Sequence, residues 1–220
     1  MRHAQQIKWG IFALALVPFG ALVVRAFTGG LGANPIEAIT HSTGEWGLRL
    51  LLVTLAVTPL RKLTDWNRIV QFRRMLGLFA FFYACLHVTT YLFLDQFFDW
   101  RAMIEDVIER PYITAGLSAF VLLVPLAVTS TNRWMRRLGR NWSRLHRLVY
   151  PAAIIAVIHF LWLVKADSLE PGIYAVVLAL LLGARLIPDG WRRKRRRQHG
   201  VGAPKIGVSG ERLGVARGRS

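Results

Sequence analysis

Long apolar runs divide this chain, and most approach the ~20 residues that a helix needs to cross ~30 Å of hydrocarbon. Six are read: Ile7 to Phe27, Trp46 to Leu60, Met75 to Leu94, Tyr112 to Ser130, Leu148 to Val164, and Gly172 to Pro188. Each is continuously apolar, whereas barrel strands alternate and are about half as long. The expected fold is therefore all-α, a polytopic six-helix transmembrane bundle. The second run is short, and Gly44 and Arg61 extend it by snorkelling and bilayer thinning. Composition agrees, because a chain that is 54% hydrophobic with a formal charge of +17 must segregate its apolar residues from its charges. Arg2, His3 and Lys8 precede the first run as in a secretory signal. The run is too long for a typical signal core, and Val24-Arg25-Ala26 interrupts the small-residue cleavage pattern, so an uncleaved first span is expected.

Basic residues orient the bundle. Arg61, Lys62, Arg68, Arg73 and Arg74 follow the second run, Arg133 to Arg147 follow the fourth, and Arg192 to Arg197 follow the sixth. The alternate connections carry Glu37 in one case and Asp95, Asp99, Glu105, Asp106 and Glu109 in the other. The positive-inside rule puts both termini in the cytoplasm of a multi-pass bacterial inner-membrane protein. A membrane domain over 1–188 and a basic, disordered cytoplasmic tail over 189–220 are expected. Arginines directly after a final span are explained by topology and anionic lipid, and no nucleic-acid partner is inferred from them. Pro35 after Asn34 suggests a short interfacial helix capping the outer mouth, and Asp95 to Arg110 reads as a surface-lying linker with one apolar side. The single cysteine, Cys85, excludes disulfides, iron–sulfur ligation and paired-thiol chemistry within one chain.

Of six histidines, His87 and His159 lie well inside runs, where a polar ring without a partner is costly. Counted from Arg73 and Arg147, both stand ~18 to 21 Å from the cytoplasmic edge at ~1.5 Å per residue. Two imidazoles at one depth on two helices suit axial ligation of a haem iron. Gly77, Ala80 and Ala84 before His87, with Ala152 and Ala156 before His159, leave a slot for a flat macrocycle, although such stripes also serve close helix packing. Haem ligation, proton relay and structural hydrogen bonding all remain open on spacing alone. His146 stands thirteen residues before His159, turned ~140° from it on an ideal helix, with Pro151 between them. It reads either as a ligand of a second haem or as an interfacial histidine. Arg49, one turn into the second run, pairs with a haem propionate or snorkels to headgroups. His3, His41 and His199 are read as surface residues.

The stretches Leu31-Gly-Ala-Asn-Pro-Ile-Glu37, Thr58-Pro59-Leu60, Arg73-Arg-Met-Leu-Gly77 leading to Cys85-Leu86-His87, Arg110-Pro-Tyr-Ile-Thr114, Leu126 to Asn132, and Trp142-Ser-Arg-Leu-His146 to Tyr150 resemble the MsrQ (YedZ) family. These are haem-binding membrane subunits of periplasmic methionine sulfoxide reductase systems, within the ferric-reductase-like transmembrane family. The resemblance covers roughly Trp9 to Arg185. It implies a b-type cytochrome with His87, His146 and His159 as the haem-associated histidines and with FMN also associated. Electrons would come from the quinone pool or a cytoplasmic flavin reductase and pass to a periplasmic molybdopterin reductase, MsrP, which repairs oxidised proteins. Related NADPH oxidases carry two histidines on the third span, whereas the position thirteen residues before His87 is Arg74. One haem is therefore expected, with a second as the alternative. No dehydrogenase domain is expected after Pro188, because the remainder is short and lacks a glycine fingerprint. The rival readings are a ferric-reductase-like carrier with another acceptor and a cofactor-free small transporter.

Overall fold

Asn34 and Pro35 start the helix around which the others assemble. In the computed structural model, which describes residues 2–164 and 169–186, the Asn34 side chain accepts a hydrogen bond from the Glu37 N–H. Pro35 takes the first helical position, where no donor is needed. The resulting α2, Pro35–Thr64, continues without a break into the second apolar run. The separate interfacial helix expected before Trp46 is thus the first part of a longer one. Nothing between Ile39 and Trp46 stops it: Gly44 costs only ~1 kcal/mol relative to alanine, and the Thr40 and Thr43 hydroxyls bond back to Ile36 and Ile39. At ~1.5 Å per residue, α2 is ~45 Å long, longer than the hydrocarbon core is thick.

Around it stand α1 (Arg2–Phe27), α3 (Val70–Thr90), α4 (Trp100–Glu109), α5 (Pro111–Val128), the short α6 (Asn132–Leu138) and α7 (Arg140–Leu145), α8 (Val149–Leu163) and α9 (Leu169–Leu186). A π-helical turn, Tyr91–Asp95, prolongs α3, and a 3₁₀ turn, His146–Leu148, leads into α8. There is no strand among the described residues. The expected tail over 189–220 lies outside them. Five segments are long and apolar enough to cross a membrane: Gln5–Phe27, Asn67–Asp95, Pro111–Val128, Arg140–Leu163 and Leu169–Leu186. The sixth expected span belongs to α2, which falls outside that set because Glu45, Arg49 and Arg61 punctuate it. It is nonetheless central, packing on α1, α3 and α8 with Leu51, Leu55 and Val57 almost fully buried. Leu14, Val121 and Leu180, on three outer helices, are 70%, 58% and 68% exposed. Apolar faces that open suit lipid, and the chain is a multi-pass helical membrane protein.

Two prolines open the helices that carry them, and a side chain from another helix fills each opening. Pro18 kinks α1. There the Tyr83 hydroxyl from α3 accepts from the Phe19 N–H (3.1 Å) and donates to the Ala15 carbonyl (2.8 Å), the pair that an undisturbed helix would join directly. Pro59 in α2 has no N–H for the Leu55 carbonyl, and the Arg185 guanidinium of α9 donates to that oxygen at 2.6 Å while also bonding and covering Tyr150. Elsewhere small residues bring backbones together: a Cβ on Gly47 would sit 3.5 Å from the Ala84 nitrogen, and one on Gly77 3.6 Å from Thr54.

Tyr83 is 1% exposed, so Tyr83→Phe should strand two backbone groups in an apolar setting. We expect a loss of about 1–3 kcal/mol, read as a lowered Tm of the detergent-solubilised protein, with helix content unchanged.

Candidate functional site

The site is built from two copies of one local device. In a helix, the side chain at i+4 lies over the carbonyl of residue i, so a glycine at i+4 leaves that oxygen reachable from outside. Gly44 follows Thr40 by four residues in α2, and Gly116 follows Tyr112 by four in α5. Into the first gap comes His87 from α3, its Nδ1 2.9 Å from the Thr40 carbonyl oxygen. Into the second comes His159 from α8, its Nδ1 2.6 Å from the Tyr112 carbonyl oxygen. A Cβ on Gly44 would stand 3.1 Å from His87 Nδ1, and one on Gly116 2.9 Å from His159 Nδ1. A side chain at 116 would force the His159 ring to move, and one at 44 would crowd the His87 ring.

A carbonyl oxygen only accepts, so each Nδ1 carries the proton and each neutral ring keeps its Nε2 lone pair free for a metal. The two rings face one cavity of about 830 Å³, with centroids 6.1 Å apart and planes at 74°. Metal–imidazole bonds of ~2.0 Å on opposite sides of one metal hold ring centres about 6 Å apart. The donor set and its spacing therefore fit axial ligation of a single haem iron. Ala80, Ala84 and Ala156 line this cavity, whereas Gly77 packs on Thr54 and Ala152 is fully buried. The small-residue stripes thus divide between making room and close packing.

His146 stands apart. It lines a second cavity of about 300 Å³ together with Arg73, Arg74, Arg147, Tyr150 and Arg185. Its Nδ1 lies 3.2 Å from the Trp142 carbonyl, the Trp142 ring stacks on it at 4.0 Å, and its Nε2 is buried without a hydrogen-bond partner. Arg185 Nε is likewise buried and unpartnered. Leu51 and Leu123 line both cavities, and the stacked pair Phe81 and Phe120, with centroids 5.7 Å apart, contributes one ring to each. Arg74 bonds Asn132.

Arg49 is not among the residues lining the larger cavity. Its guanidinium bonds Glu45 (2.8 Å), the Tyr174 hydroxyl (2.7 Å) and Glu170 (3.4 Å) and lies over Trp46. Carboxylates on its own helix and on α9 neutralise it. The arginine that does line the cavity is Arg110, paired with Asp106 at 3.1 Å. That carboxylate raises the Arg110 pKa further. His41, read as a surface residue, is exposed and lines the cavity. The sequence reading missed Thr40, Tyr112 and Gly116, and it gave Gly44 no role at the site. The available signal was a lone glycine inside an otherwise continuous helical pattern.

Comparison with known proteins gives a concordant result. Residues 43–157 match the family described as ferric reductase like transmembrane component. The chain is 57% identical over 168 residues to the protein-methionine-sulfoxide reductase heme-binding subunit MsrQ of Xanthomonas campestris pv. campestris (strain 8004), covering 76% of this chain and 75% of that one. The protein of the same name from Rhodospirillum rubrum is 54% identical over 188 residues, covering 85% and 90%. That from Herminiimonas arsenicoxydans is 51% identical over 193 residues, covering 86% and 88%. No solved structure matches the chain.

Gly116→Ala should push the His159 ring off the Tyr112 carbonyl and cost about 1–3 kcal/mol. Gly183→Ala, in open space on α9, should be neutral or stabilise by up to about 1 kcal/mol. Paired thermal unfolding curves check the contrast.

Proposed function

The chain belongs to the ferric-reductase-like transmembrane family and, within it, to the MsrQ proteins, and on that premise we propose that it is a membrane b-type cytochrome. In this reading it serves a methionine sulfoxide reductase system of the bacterial inner membrane, passing electrons outward to the periplasmic molybdopterin enzyme MsrP. The observation that carries the reading is the 6.1 Å separation of the His87 and His159 rings across one cavity. A haem held by two imidazoles supplies one-electron exchange with no open coordination position. The protein's own contribution is to fix the ligands. Thr40 and Tyr112 hold the ring orientations and tautomers, Gly44 and Gly116 admit the rings, and Ala80, Ala84, Phe120, Ala156 and Phe160 keep the cavity wall apolar. The sulfoxide chemistry belongs to the partner.

A second, cytoplasmic haem at His146 is favoured by one observation, the buried Nε2 without a partner. The surrounding Arg73, Arg74, Arg147 and Arg185 would balance its propionates. Electrons would enter at that arginine-rich end from a quinol or a cytoplasmic flavin reductase. FMN and both donors come to this chain from the family resemblance.

Haem per polypeptide in three variants tests the scheme. His87→Ala and His159→Ala should each empty the larger cavity, because one remaining ligand holds the ring from a single face. His146→Ala should leave that haem and its reduced-minus-oxidised spectrum in place, and any loss should be confined to a second haem. A colourless wild-type preparation from haem-replete cells would favour the cofactor-free transporter. Faster reduction of ferric chelate than of MsrP would favour the ferric-reductase-like carrier.

A further inference from the structure

The larger cavity reaches one end of the bundle, and there its wall includes Asn34, Glu37, His41, Asp95, Trp100 and Arg110. The cations of this end are mostly engaged inward. Arg110 pairs with the buried Asp106, which also accepts from Tyr91 and Gln96, and Arg49 pairs with Glu45 and Glu170. Glu37 and Asp95 line the opening and are exposed, Glu105 and Glu109 stand exposed on the outer side of α4, and no ion pair to any of them is found among the described residues. Next to these carboxylates, Phe97 and Trp100 are 75% and 65% exposed. The backbone there is strained to present them: Phe97 and Phe98 have φ of 46° and 61°, a region that bulky residues avoid and that clusters at binding sites. Exposed aromatic residues among charges that are mostly acidic, with Arg101 the one cation of α4 besides the paired Arg110 that borders it, are the composition of a protein-docking surface.

We propose that this acidic and aromatic rim, formed by the first turns of α2, the turn after α3 and α4, docks a soluble electron acceptor through a basic patch on that acceptor. The proposal rests on the reading that haem occupies the larger cavity and that electrons leave at this end. A basic protein is favoured over lipid because anionic headgroups would be repelled by Glu37, Glu105 and Glu109. Carboxylates around an opening steer a cationic partner into contact, and the steering weakens with salt.

The test uses the full-length haem-loaded protein in nanodiscs, reduced and then mixed in a stopped-flow cell with cytochrome c, a basic redox probe. Raising ionic strength from about 20 to about 300 mM should slow reoxidation on the order of tenfold. The double variant Glu105→Lys and Glu109→Lys should slow it by a similar factor at low salt and scarcely at high salt, with the haem spectrum unchanged. Rates indifferent to salt and to the variant overturn the docking surface. So does a nitroxide label on Phe97→Cys, in a Cys85→Ala background, that reports a lipid environment. MsrP is run in parallel: if it takes no electrons while cytochrome c shows the salt dependence, the acceptor assignment fails and the docking surface stands. If MsrP is reduced at a salt-independent rate, the reverse holds.

Discussion

An imidazole inside an apolar bundle must bond something, and here each of two rings bonds a backbone carbonyl of a neighbouring helix. Helix carbonyls are ordinarily covered by the side chain one turn further on, so the contact exists only where that side chain is absent. Gly44 over Thr40 and Gly116 over Tyr112 provide the two openings. From this follow the depth of the rings, the proton on each Nδ1, the orientation of each Nε2 lone pair and the pairing of α2 with α3 and of α5 with α8. The cavity between the pairs is where these two units meet.

Rigidity elsewhere has a related origin. Proline frees backbone groups in α1 and α2, and Tyr83 and Arg185 reach across from other helices to satisfy them. These bonds act between helices that would otherwise slide on an apolar interface with little directional preference. They fix α1 against α3 and α2 against α9. Arg185 bonds the Leu55 carbonyl and Tyr150 and also lines the smaller cavity.

Charge divides the molecule along the same axis as the two cavities. Arginines surround His146 at one end, and carboxylates surround the opening of the larger cavity at the other. Leu51 and Leu123 line both cavities, and the stacked pair Phe81 and Phe120 contributes one ring to each.

The helical class, the meeting of His87 with His159 and the separate position of His146 were legible in residue order, because hydropathy, helical rise and the burial cost of imidazole act locally along the chain. The partners of Arg49 were not legible for the same reason: its distance from the membrane edge is local information, while Tyr174 and Glu170 lie more than a hundred residues away. The boundary of α2 was misplaced because a polar stretch looked like a connection, although nothing in it stops a helix. Residue order alone determined which side chains are too polar for their surroundings. Tertiary structure decided what satisfies them, since a carbonyl uncovered by glycine becomes a partner only when another helix brings a ring to within hydrogen-bonding distance.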